Sequence, residues 1–504
     1  MKDILIEAIK EVLVELGVEN PKVELAYPEK LSFGEFTTNI AFTAMRGFAA
    51  FFETHVGDIV WLAKFGSIKT PHDFAEKIVS MLKEKNIPMV AQIEVAGPGF
   101  INISVTREYY TSTLKEIITQ GEKFGNGGFF SGKKIMVEYT QPNPFKPFHI
   151  GHLMSNAVGE SISRIIESQG ANVVRANYQG DVGPHVAKAI YGMMKKGKPE
   201  ASLSVAKQAE FIGECYSFAN NEYESDENIK KEIDQINKKV YEKSDTEINE
   251  LYDFGRKVTL SAFEEIYTIL GTKFDYYFFE SETAVLGRKI LEEGLEKGIF
   301  EKSDGAIVFH GEKYDPRLHT RVFVNSQGLP TYETKELGLT KMKFDLENPD
   351  LSITETAVEQ QEVLKVISKA VEILFPEYTG RIKHVTHGMM RFESGKMSSR
   401  KGNVITGESL IQDSIDVVSE IMKDRNMTQV ELKEISSIVA VSAIKFSILR
   451  QAIGGDIIFD FEKSVSFEGD SGPYLLYSVT RANKKKEKAR KENIVSSREN
   501  PKNE

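Results

Sequence analysis

Two hydrophobic periods alternate along the N-terminal part of the chain. In "MKDILIEAIKEVLVELG", Ile4, Leu5, Ala8, Ile9 and Leu13 recur at helical spacing, which predicts an amphipathic helix with these five on one face. In "TPHDFAEKIVSML" a capping Thr70 and Pro71 precede Phe74, Ile78 and Met81, the signature of a second helix. "IEVAGPGFINISV" then holds two β-rich runs around Gly97-Pro98-Gly99, turn chemistry between strands. These elements make residues 1–110 an α+β domain. Met45 to Gly66 is apolar and aromatic. Burial is its simpler explanation and an interface the sharper one.

The Gly-rich "GNGGFFSGKK", Gly125 to Lys134, breaks the pattern as a linker. "IMVEYT" reads as a buried strand, and "LMSNAVGESISRIIESQG" as a helix. Leu153, Ala157, Ile162 and Ile165/Ile166 line that helix, and Gly170 ends it. "ANVVRANY" is the next strand. Strand, loop, helix and strand make a βαβ unit, so the fold class is α/β with a parallel sheet. Residues 195–300 are mostly charged helix, and alternating charge there is most simply a solvated face. "GAIVFHG" and "TRVFVN" are β-rich runs flanking Asp315-Pro316. Past Thr406 the chain is helical again, through "VELKEISSIVAVSAIKFSIL", and it ends in a basic helix and a polar tail.

The length of 504 residues suggests about three domains. The net charge of −10 excludes a uniformly basic coat for nucleic acid, though not local basic patches. A single cysteine, Cys215, excludes an intramolecular disulfide and a zinc site of several thiolates. That fits a reducing, cytoplasmic setting. No stretch has the apolar length of a membrane span, and the N-terminus lacks the apolar run of a signal peptide.

Candidate chemistry concentrates in "TQPNPFKPFHIGHL", Thr140 to Leu153. It lies at the first strand-to-helix crossing, and ligands of parallel sheets bind outside the carboxyl ends of the strands. The following helix directs free N–H groups and its positive dipole end there, which favours a phosphate. Pro142, Pro144 and Pro147 are expected to hold the loop extended and lower its entropy. Gly151 would let a flat ring such as adenine approach the backbone. His149 and His152 share one helix face and can donate to phosphate oxygens. A lone His-x-x-His is more often packing or a metal pair. "FESGKMSSRKGNVI" adds Lys396, Arg400 and Lys401 among serines and glycines, suited to pyrophosphate; alone it would be an ordinary basic loop.

Taken together, these stretches resemble the class I aminoacyl-tRNA synthetases. His149-Ile150-Gly151-His152 stands as their HIGH motif and "KMSSR" as their KMSKS loop. "VEYTQPNPFKPFHIGHL", "NYQGDVGPH", "DIIFDFEKSVSFEGDSGPYLLYSVTRA", "FGEFTTNIAF" and "GPGFINI" are similar to the arginyl-tRNA synthetases. The resemblance implies a Rossmann-type catalytic domain at 120–408, an N-terminal tRNA-contacting domain at 1–110 and an incomplete helical anticodon-binding domain at 409–504. It implies ATP, with Mg2+ carried by the ATP and no dedicated protein metal site, and L-arginine and tRNA(Arg) as partners of a monomer. Arginyl-adenylate forms first, usually with tRNA bound, and arginine then passes to the tRNA 3′ end.

The resemblance also assigns residues. ATP falls to His149, Gly151, His152, Lys396, Ser398, Ser399 and Lys401. Catalysis falls to His149, His152, Lys396 and Lys146. Glu138, Asn143, Tyr332, Glu336 and Gln361 match substrate positions, with Gln360 competing for the register of Gln361. Two departures stand out. Glu336 replaces an aspartate that, with the tyrosine four residues earlier, holds the guanidinium. Ser399 replaces the second lysine of KMSKS, for which a lysine just upstream of HIGH, here Lys146, is thought to substitute. Lys484, Lys485, Lys486, Lys488, Arg490 and Lys491 would contact phosphates or merely solubilise their helix. A non-catalytic RNA- or partner-binding paralogue is the alternative, opposed by the intact His149, His152 and Lys146. A nucleotidylyltransferase would share the histidine pair but not the N-terminal domain.

Overall fold

The computed structural model describes residues 1–54, 68–392, 406–452, 454–460, 464, 466 and 469–492. The chain divides into two compact units between Gly125 and Asn126, inside the Gly-rich stretch.

The first unit contains helices α1 (Lys2–Glu15), α2 (Ile40–Thr54), α3 (Pro71–Glu84) and α4 (Arg107–Gln120). Its antiparallel sheet has the order β1 (Phe36–Thr38), β3 (Phe100–Val105), β2 (Val90–Ala96). Thr70 caps α3 as expected: its hydroxyl accepts from the Asp73 N–H at 3.1 Å, and Asp73 accepts from the Thr70 N–H at 2.9 Å. Leu5, Ala8, Ile9 and Leu13 of α1 are buried. Ile4 is not; it is 51% exposed, and Val12 completes the stripe instead. The helix therefore turns its buried face slightly further round than the sequence spacing indicates. Of the apolar segment 45–66, residues 55–66 lie outside the described residues.

The second unit is built on a parallel sheet of the Rossmann type. Its strands are β4 (Lys134–Glu138), β5 (Asn172–Gln179), β6 (Tyr276–Phe279), β10 (Leu351–Ala357) and β11 (Ile382–His387). Their order is β11-β10-β4-β5-β6, so β4 lies at the centre, paired with both β10 and β5. A strand covered on both faces needs apolar residues throughout, and "IMV" supplies them. Helix α5 (Ile150–Ser168) crosses from β4 to β5. Leu153, Ala157 and Ile166 are buried in it, while Ile165 is 62% exposed.

Helices α6 (Pro184–Lys196), α7 (Val205–Ser225), α8 (Glu227–Glu242) and α9 (Thr246–Leu270) enclose a core that includes Phe145, Ile212 and Leu251. Helix α10 (Glu280–Glu296) precedes a small antiparallel sheet: β7 (Glu301–Ser303), β8 (Ala306–His310) and β9 (Thr320–Val324). Helices α11 (Tyr332–Glu347) and α12 (Gln361–Leu374) follow. Beyond them, β12 (Met390–Phe392) pairs in parallel with β13 (Ile457–Phe459). Helices α13 (Gly407–Met422) and α14 (Gln429–Leu449) complete one core with the main sheet, in which Leu410, Ile411 and Ile444 join Val137, Tyr139 and Leu153. The last helix is α15 (Gly472–Lys491).

The α10–α11 contact sets the position of α11, whose polar face matters below. A Cβ on Gly338 would lie 2.0 Å from the Thr283 carbonyl oxygen, and one on Gly287 2.0 Å from that of Thr334. The two helices approach backbone to backbone. Gly338→Ala forces them apart and is expected to cost about 1–3 kcal/mol, as overpacking does. Chemical denaturation of that variant checks it; an unchanged midpoint contradicts the close approach.

Candidate active site

The loop after β4 is turned rather than extended, contrary to the expectation from its prolines. Thr140, Gln141 and Phe145 have φ of 77°, 51° and 66°. A left-handed β-branched residue is costly and persists only when its surroundings enforce it. They do so here. The Thr140 N–H donates to Ser155 Oγ at 2.8 Å, Asn156 donates to Thr140 Oγ1 at 3.0 Å, and the Gln141 N–H donates to Asn177 Oδ1 at 3.2 Å. Ser155 in turn donates to Glu355 at 2.5 Å, a carboxyl that burial pushes up to about 8. Phe145 is fully buried and its N–H donates to Thr259 Oγ1 at 3.3 Å. Its ring sits against Gly255, where a Cβ would lie 2.2 Å from the ring. The loop is thus bolted to α5 and α9, and Lys146 follows the anchored Phe145.

The two histidines close on each other. His149 caps α5 by accepting the Gly151 N–H on Nδ1 at 3.1 Å, and His152 Nδ1 accepts the His149 N–H at 3.2 Å. Their rings stack, centroids 3.5 Å apart and planes 20° apart. Two occupied Nδ1 acceptors fix the tautomer, so each neutral ring carries its proton on Nε2 as a donor. Desolvation and the neighbouring Lys146 cation hold His149 below its ordinary pKa. Burial, with His149 and Lys146, holds His152 further below. Both rings are therefore neutral donors at neutral pH. Gly151 also has a reason within the protein itself. A Cβ there would lie 2.9 Å from the His149 ring, so the glycine makes room for the cap.

The Lys146 ammonium lies 5.2 Å from the centroid of the Tyr216 ring, a cation–π contact. Partial burial, and then Lys188, lower its pKa.

Beside this stands a buried acidic cluster. Glu138, at the end of β4, is completely buried. Gln141 donates to its Oε1 at 2.6 Å, and the Lys343 ammonium pairs with its Oε2. Glu336 is buried on α11 and bonded by the Tyr332 phenol. Burial and the Glu138 charge raise its pKa, while Lys343 and Tyr332 oppose the rise. Burial and Glu336 push Tyr332 well above its usual value, so it remains a neutral donor. Asn143 accepts the Gly180 N–H at 3.1 Å. A Cβ on Gly180 would lie 2.6 Å from that amide oxygen.

The structure thus brings together His149, Gly151, His152 and Lys146, and separately Glu138, Tyr332 and Glu336. Gln361 opens α12, half-buried beside Gln360, and no hydrogen bond joins it to the carboxylates among the described residues. Lys396, Ser398, Ser399 and Lys401 lie outside the described residues. The residue that follows that segment, Thr406, forms an antiparallel bridge with His149, and the Gly407 N–H donates to the Phe148 carbonyl at 2.7 Å.

Sequence reasoning missed Lys343, Ser155 and Glu355. Lys343 was findable, because it follows Glu336 by seven residues, two turns along the same helix face. Glu355 carried no such signal, since its partner Ser155 is two hundred residues away.

The family description "tRNA synthetases class I (R), catalytic domain" matches residues 113–461, and "Arginyl tRNA synthetase N terminal domain" matches residues 1–105. The chain is 32% identical over 444 residues to arginine–tRNA ligase of Borreliella burgdorferi, covering 86% of this chain and 74% of that protein. It is 29% identical over 496 residues to arginine–tRNA ligase of Clostridium perfringens, covering 98% and 82%. Its fold matches arginyl-tRNA synthetase of Thermus thermophilus with a TM-score of 0.73 at 20% identity, over 99% of this chain and 84% of that one. Class signature, N-terminal domain and relatives agree: this chain belongs to the arginyl-tRNA synthetase family of class I tRNA synthetases.

Proposed function

We propose that the chain is an arginine–tRNA ligase and that the two clusters divide its reaction between them. The observation that carries this reading is the acidic cluster at the carboxyl end of the central strand. Buried charges are tolerated only when compensated. Glu138 and Glu336 share one lysine, and a guanidinium, planar and always charged, complements the remaining carboxylate. Asn143 meets the α-amino end of the arginine, and Gln361 borders the same pocket. The substrate carboxylate oxygen attacks the α-phosphorus of ATP; the bond to the bridging oxygen breaks and pyrophosphate leaves. Charge grows on the phosphate oxygens as this happens. Lys146 and the Nε2–H donors of His149 and His152 stabilise it without reorganising, because the loop and the cap already hold them.

Gly151 lets the cap close and the adenine of ATP approach the backbone, and Lys396, Ser398, Ser399 and Lys401 serve the pyrophosphate. Mg2+ arrives with the ATP. Residues 1–110 contact tRNA(Arg), 120–408 form the catalytic domain, and the helices of 409–504 with their terminal lysines meet the RNA further from its 3′ end. The enzyme acts as a cytoplasmic monomer. The test is ATP–pyrophosphate exchange with each of the twenty amino acids, with and without tRNA. Exchange is expected with arginine alone and to depend on tRNA(Arg). Exchange with a different amino acid, or none with arginine and tRNA together, refutes the assignment.

A further inference from the structure

We infer that Lys343 is a positioning residue for arginine: by pairing with Glu138 it neutralises that carboxylate and leaves Glu336 to ionise against a single planar cation. This rests on the pocket reading above.

The charge count follows from contacts. Glu138, Lys343 and Glu336 are 0%, 3% and 4% exposed, so none is screened by water. Lys343 pairs with Glu138, lies 3.5 Å from Thr354 Oγ1 and acts on Glu336. Lys335 and Glu280 pair with each other at 2.6 Å and cancel. Tyr332 and Tyr178 are kept neutral by burial. With Glu336 protonated the pair of Glu138 and Lys343 sums to zero; with Glu336 ionised a single negative charge remains. A guanidinium brings that charge to zero, and its fork can face carboxylates from two different elements, β4 and α11. A neutral isostere of arginine gives Glu336 no charge to ionise against. Lys343 and Gln141 also occupy one oxygen each of Glu138, which fixes the orientation of that carboxylate.

A guanidinium binds the ionised form of Glu336, whose pKa is raised by burial and by Glu138 and opposed by Lys343. Below that raised pKa Glu336 holds a proton and arginine binds weakly; above it arginine binds well. The arginine KM therefore falls as pH rises through this limb. Without the Lys343 cation the proton is held more tightly, so the limb moves to higher pH.

The experiment compares the full chain with Lys343→Met and Lys343→Gln, measuring arginine KM in tRNA-dependent ATP–pyrophosphate exchange between about pH 6 and 10. Both variants are expected to shift the limb up by about 1–3 units, the effect of removing an opposite charge at contact, with the KM for ATP unchanged. Lys343→Gln keeps a hydrogen-bond donor to Glu138, so a merely structural role would leave its limb in place. An unshifted limb in Lys343→Gln overturns the inference even if Lys343→Met fails to fold. Glu336→Gln separates the two levels of the argument. Its limb should vanish, and a limb that persists there refutes the pocket itself. A limb lost in Glu336→Gln but unmoved in Lys343→Gln refutes only the role of Lys343.

Discussion

Lys146→Ala is expected to slow arginine-dependent ATP–pyrophosphate exchange by about 10²–10³-fold, the usual cost of removing one preorganised donor to a developing oxyanion. The arginine KM should change little, because Lys146 lies with the two histidines and not among the carboxylates. Its setting supports so large an effect. The preceding residue, Phe145, is locked into the core between α9 and the loop, and the ammonium rests over Tyr216. A charge placed so firmly needs no reorganisation when the phosphorus is attacked. Lys146→Arg keeps the charge and should recover part of the rate. His72→Ala serves as the comparison. His72 is a surface residue of α3, 3.9 Å from Glu76, and its loss should leave exchange within about twofold, as for surface substitutions generally. Similar rates in Lys146→Ala and His72→Ala would remove the lysine from the mechanism.

Glu336→Gln is expected to raise the arginine KM by about a hundredfold, since a hydrogen bond to a charged group contributes up to about 3 kcal/mol. The KM for ATP should hardly move. The same variant should be no less stable than the parent, and more stable at alkaline pH. An acid with a raised folded-state pKa contributes stability below its unfolded value and loses it as pH rises through the folded one. Glu336 is such an acid, and an amide does not ionise. Weaker arginine binding with equal or better stability above pH 8 would mark Glu336 as kept for binding and not for the fold. An unchanged arginine KM would take it out of the pocket.

How legible the protein was depends on where its information sits. The α3 cap and the hairpin around Gly97 rest on contacts within a few residues, and the βαβ unit on the separate periods of three consecutive elements, so spacing and turn chemistry exposed them. The opening of α11, "YETKELGLTKMK", shows the limit. Nothing in so charged a stretch announces that Glu333, Lys335, Glu336 and Lys343 are all buried. Only pairing across the fold, with Glu280 and Glu138, makes that burial tolerable. The loop shows another limit. Three prolines suggest extension, but the turn at Thr140 and Phe145 is imposed by Ser155, Asn156 and Thr259, partners that local sequence does not name. The part of Gly151 in the histidine cap was equally hidden, because it depends on where the His149 ring turns.

The helices beyond Thr406 share one apolar interior with the central sheet. Leu410, Ile411, Val441, Ile444 and Ile448 cover Tyr139, Phe148 and Leu153. A minimal fragment ending at the sheet would therefore bare the underside of the very helix that carries the histidines. Any exchange of the C-terminal helices between such enzymes must leave α13 and α14 in place and make the join further along. These helices and the one that carries the histidines stand on a common foundation, so damage to one would reach the other through the floor they share.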